Sequence, residues 1–122
     1  MQFPRKLDDA AFRSANGEYA WQRSEARAAV RVLADSGRAV LGGELWFIGD
    51  GEVWVALPQQ SGPAAVYSWE TERRPDEPWP TYVARSRGEA LSAIQALPGE
   101  AGVTVPPTAK VYYNLTWAGA DE

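Results

Sequence analysis

Asp50-Gly51 sits between two runs that alternate with a period of two, Glu44 to Ile48 and Val53 to Leu57. This leaves the chain less choice than any other stretch. An Asp-Gly pair between apolar, β-branched and aromatic residues specifies a two-residue type I′ hairpin, because both loop positions need positive φ. With that loop Gly49 pairs with Glu52, Ile48 with Val53, Phe47 with Trp54, Trp46 with Val55 and Leu45 with Ala56. Directly opposed residues share a face. One face then carries Trp46, Ile48, Val53, Val55 and Leu57, and is expected to pack under helices. The other carries Leu45, Phe47, Trp54 and Ala56.

The hairpin is flanked by helical periodicity. Ala26, Ala29, Val30 and Leu33 fall at i, i+3, i+4 and i+7, which predicts an amphipathic helix over 24–36 with Ser24 as N-cap and Gly37 as C′ residue. Arg23, Arg27 and Arg31 step along another side and read as a solvated face. Val83, Ala90, Leu91, Ile94 and Leu97 predict a second helix over 81–97, stopped by Pro98-Gly99. Short strands are expected over 38–41, broken by Gly42-Gly43, then over 64–70 and over 110–117. Adjacent Tyr112 and Tyr113 must point to opposite faces, one to the core. Residues 1–17 read as a partly ordered lead-in with one helical turn, 118–122 as a tail, and the proline-rich segment 71–80 as a connection that Trp79 staples to the next helix. The fold class is therefore α+β in a single domain, 1–122. An antiparallel four- to five-stranded sheet carries two helices on one face, in the order α-β-β-β-α-β, with a meander for the first three strands.

Composition narrows the chemistry. The chain contains no Cys and no His, so disulfide frameworks, Cys/His metal sites, thiol nucleophiles and Ser-His-Asp relays are excluded. Gly42-Gly43 lacks the spacing of a dinucleotide fingerprint, and Asp50 and Glu52 lack that of a Ca²⁺ loop. No cofactor or metal is expected. With 16 acids against 12 bases, nucleic acid is not the expected partner. No run of about 18 apolar residues offers a membrane span, and no secretory signal is read at the amino terminus, so a cytoplasmic protein is expected and Asn114-Leu115-Thr116 is read as an inert glycosylation motif.

Charge is segregated along the chain. The first forty residues hold seven bases and five acids, whereas Ala39 to Glu72 holds Glu44, Asp50, Glu52, Glu70 and Glu72 and no base. Trp46, Phe47, Trp54, Tyr67 and Trp69 lie in the same interval. Rings that anchor and acids that steer are the makings of a docking surface for a basic partner. The expected function is a small non-enzymatic protein-binding module. Its partner-binding residues are Glu44, Phe47, Trp54, Tyr67, Trp69, Glu70 and Glu72, presented on a sheet face without helices. In charge and size it resembles the compact acidic inhibitors that bacteria keep against their own toxins, in which a negative surface covers a basic active site. Three alternatives stand beside this. The rings fill a core, with Trp54 and Trp69 beneath Phe3, Phe12 or Trp21. Or the Trp rings with Glu44, Glu70 and Glu72 form a small-ligand or carbohydrate site, hydrolytic if two carboxylates stand roughly 5–9 Å apart. Or the aromatic face meets its own copy in a homodimer.

Overall fold

The computed structural model describes residues 2–49, 52–55 by backbone alone, 68–97 and 109–121. Asp50, Gly51, Tyr67 and Pro98-Gly99 lie outside the described residues, as do residues 56–66 and 100–108. The elements are α1 (Arg5–Ala10), β1 (Phe12–Arg13), β2 (Tyr19–Trp21), α2 (Arg23–Asp35), β3 (Ala39–Gly49), β4 (Glu52–Val55), β5 (Ser68–Glu70), α3 (Trp79–Ala96) and β6 (Lys110–Ala118). The class is α+β, with an antiparallel sheet in the order β1-β2-β6-β3-β4 and β5 also on β3.

The hairpin register is the one that the Asp-Gly signal specifies, from Gly49↔Glu52 to Trp46↔Val55. Its faces are reversed from the expectation. Leu45 and Phe47 belong to the core with Ala29, Val30 and Leu33 of α2 and Ala90 and Ile94 of α3, so they face the helices, and Trp46 and Ile48 face away. Two-fold alternation settles which residues share a face, but only docking of the helices settles which face is covered.

β3 is one continuous strand through Gly42-Gly43, not a strand broken there. A Cβ at Gly42 would lie 2.3 Å from Trp69 O, and one at Gly43 would lie 2.1 Å from Asn114 O and 2.4 Å from Trp69 Cη2. The glycines let neighbouring strands and the Trp69 ring approach the backbone. A register shift lies between Val40 and Gly42, and there the Val40 N–H is met by the Ser86 hydroxyl of α3 at 3.1 Å, which itself donates to Val83 O at 3.0 Å. The expected meander is also corrected. β6 pairs with β3 from Ala39 to Ile48, so β4 and β5 share the remaining edge, and β5 pairs with β3 itself.

The lead-in contributes more than one turn. Phe3 and Leu7 are core residues, the Trp21 indole donates to Leu7 O at 2.8 Å, and Phe3 meets Trp21 edge-on at 5.0 Å. Asn16-Gly17 turns the chain with Gly17 at φ 81°, which brings β2 alongside β6. Gly37 has the positive φ, 79°, of the expected C′ residue. At the other end of α2, Gln22 and not Ser24 is the N-cap, without a side-chain bond. Arg23 is not part of a purely solvated face, since its guanidinium donates to Leu97 O at 2.7 Å and Tyr113 Oη at 3.0 Å. Trp79 opens α3, and its indole donates to Gly37 O at 2.8 Å, which ties the start of α3 to the end of α2. Tyr113 is buried in the core and Tyr112 faces away from it, half-buried.

Candidate functional site

All three helices contribute to the core on one side of the sheet, and none of them covers the other. On that open side the registers assemble three rows. Phe12, Ala20, Asn114, Glu44 and Ser68 stand opposite one another across five strands. Tyr112 and Trp46 form the row on one flank, and Thr116, Gly42 and Glu70 the row on the other. The first flank is aromatic. Phe12 lies edge-on to Trp46 at 6.4 Å and to Tyr112 at 6.3 Å, and Trp46 is only 4% exposed.

The other flank is acidic. A groove of about 350 Å³ opens there; its lining includes Glu18, Glu44, Trp69, Glu70, Asn114 and Thr116 and, among the described residues, no basic side chain. Trp46 donates its indole N–H to Glu44 Oε2 at 3.0 Å, which orients that carboxylate at the edge of the groove. None of the three glutamates takes part in an ion pair among the described residues. The acids that do are elsewhere: Asp9 with Arg5, Asp8 with Arg13, and Glu77 and Glu89 with Arg85. A larger groove of about 510 Å³ lies between Trp69 and α3; its charged lining is Glu70, Arg85 and Glu89, and Arg85 is paired with Glu89 at 2.8 Å.

Glu77 and Arg85 form the most perturbed pair. The hydrogen bonds of Arg85 hold the Glu77 carboxyl down to about 2, helped by the Arg74 backbone N–H, and Glu77 pushes the guanidinium pKa well above its ordinary value. Arg85 also donates to Glu72 O at 2.6 Å, and Tyr82 Oη donates to Thr71 O at 2.6 Å. This network shapes the 71–78 connection against α3; its charges are spent internally.

The groove lining brings together three of the residues named from the sequence, Glu44, Trp69 and Glu70. Phe47 is 6% exposed in the core. Trp69 stands opposite Gly43 on the helix side, half-buried against the core, and its indole N–H has no hydrogen-bond partner among the described residues. Trp54 is opposite Phe47 by register, and Tyr67 lies outside the described residues. Glu72 is exposed beyond the end of β5 and does not line the groove. Rings and acids part because Phe47 is three residues from Glu44 and Trp69 is adjacent to Glu70, and odd separations on a strand point to opposite faces. Glu18, Asn114 and Thr116 were missed. Glu18 belongs to the base-rich first forty residues and reaches the groove only because β2 docks on β6. The second-residue spacing of Asn114 and Thr116 on a strand was the available signal for the other two.

Among the described residues no helix is long and apolar enough to cross a membrane. The chain matches the family model described as Immunity protein 40 over residues 7–113. No curated protein and no solved structure matches it. The matched span takes in both principal helices and all but the end of the sheet, and the chain belongs to the immunity protein 40 family.

Proposed function

We propose that this immunity-family chain is a non-enzymatic inhibitor that binds a toxin protein through the open face of its sheet, with Glu44, Glu70 and Glu18 meeting a basic surface. The observation that carries the reading is the groove: three carboxylates and, among the described residues, no basic side chain in its lining, on the sheet face that the helices leave bare. Unneutralised acids on a low-dielectric wall focus the field and speed the approach of a positively charged partner. Trp46, Tyr112 and Phe12 offer a mostly buried aromatic flank beside them. Phe47 is not part of this surface, since the core holds it. A second copy docked face to face would set glutamates against glutamates, which favours a basic partner over a homodimer. The reading includes a cytoplasmic setting.

Co-expression with toxin proteins of the source cell tests it. The unaltered chain is expected to protect the host, and Glu44→Lys with Glu70→Lys to abolish protection while the far-ultraviolet spectrum and melting temperature are retained. Full protection by that folded double variant would overturn the docking face.

A further inference from the structure

We infer that the helix side of the molecule meets a second copy of this chain, through the groove where the end of α2 comes against the start of α3. This contact does not depend on the acidic docking face, which lies across the sheet from the helices. The groove measures about 320 Å³ and is walled by Ala34 of α2 and by Trp79, Pro80, Val83 and Ala84 of α3. Asp35, the last residue of α2, and Arg87 of α3 complete its lining. Pro80, Ala84, Asp35 and Arg87 are exposed, and Trp79 is half-buried. The Trp79 ring is already fixed, by its hydrogen bond to Gly37 O at 2.8 Å and by Tyr82 lying edge-on at 5.5 Å. A partner can therefore bury it with little loss of side-chain freedom.

The two charges identify the occupant. Asp35 and Arg87 line one groove from different helices, yet neither belongs to an ion pair among the described residues. Asp35 does not serve its own helix either. A carboxylate at the end of α2 stands at the negative pole of the helix dipole, where a cation is favoured, and that last turn holds no basic residue. An apolar patch with one acid and one base on its rim is complementary to itself under a two-fold rotation, because the acid of each copy then faces the base of the other. Asp35 of either copy meets Arg87 of its neighbour, and the two ion pairs frame an apolar centre. Pro80, Ala84 and Arg87 follow one another at i, i+4 and i+7 along one face of α3. Small side chains at the first two positions let the two α3 helices approach closely. Both acidic sheet faces stay outward in such a dimer.

Sedimentation equilibrium of the whole chain, from micromolar to millimolar concentration, is the test. The unaltered chain is expected to dimerise, more weakly as salt rises. Asp35→Arg sets arginine against arginine across the contact, and Arg87→Asp sets aspartate against aspartate. Each should weaken dimerisation about tenfold or more, and both positions are exposed, so each variant should keep its fold. Mixing the two variants in equal amounts should restore dimers, since each supplies the charge that the other needs. Damage to the fold would not reverse on mixing. A chain that stays monomeric throughout, a dimer indifferent to both substitutions, or variants that fail to pair with each other would overturn the contact. If the unaltered chain is monomeric and Asp35→Arg loses protection in the co-expression assay, the groove belongs to the toxin and not to a second copy.

Discussion

Glu77 shows how much one carboxylate can be asked to hold. It is 7% exposed, and both of its oxygens receive the Arg85 guanidinium, at 2.8 and 2.9 Å, while the Arg74 N–H reaches it at 3.0 Å. Its pKa falls from 4.5 to about 2 on folding. Because the folded value lies below the unfolded one, the stabilisation is complete above pH 4.5 and disappears as the pH falls toward 2. Glu77→Gln keeps the shape but leaves a partly buried guanidinium short of its counter-charge, so its melting temperature should be lower at neutral pH. The deficit should narrow across that acid window. Thermal melts of both proteins over the pH range check this, and a deficit that stays constant would show that charge is not its source. Glu77 was read from the sequence only as one acid in a charged, proline-rich connection. Nothing in its neighbours indicates that Arg85, eight residues on, turns back to it.

Among the elements, those governed by near neighbours were the legible ones. The stripe of α2 and the register of β3 with β4 follow from spacing and turn chemistry, and both are present. Gly42-Gly43 was misread as a break, because glycine in a strand pattern signals either an interruption or a close approach. The choice belongs to Trp69 and Asn114, far along the chain. The two kinds of glycine should separate on substitution. Gly43→Ala drives a methyl group into Asn114 O and the Trp69 ring and should destabilise by about 2–3 kcal/mol. Gly88→Ala, inside α3 with nothing within 4 Å of the added carbon, should stabilise by about 0.5–1 kcal/mol. Denaturant melts of the two variants would measure the opposite signs, and equal effects would refute the close-approach account. Parity was legible as well. Glu44 and Phe47, or Trp69 and Glu70, point to opposite faces of a regular strand.

At the scale of the molecule, the acidic groove concentrates charge that forms no ion pair among the described residues. Glu18, Glu44 and Glu70 come from three separate strands or their ends and line one cavity that has no base among the described residues, and neighbouring like charges on a sheet oppose folding. Removing two of them by Glu44→Gln with Glu70→Gln should therefore leave stability unchanged or raise it by a few tenths of a kcal/mol, even as recognition is lost. Calorimetric melts read this directly, and a large loss of stability would mean that the glutamates serve the fold. Acidity along 39–72, the helix stripes, the hairpin register and the exclusion of Cys and His chemistry were determined by the sequence alone, because each depends on residue identity or on neighbours a few positions away. Which sheet face the helices cover, the entry of the lead-in as α1 and β1, and the meeting of Glu18 with Glu70 across Gly42 were decided only by tertiary structure. Those outcomes depend on contacts between distant segments, where the apolar faces that bury one another fix which side of the sheet is left to a partner.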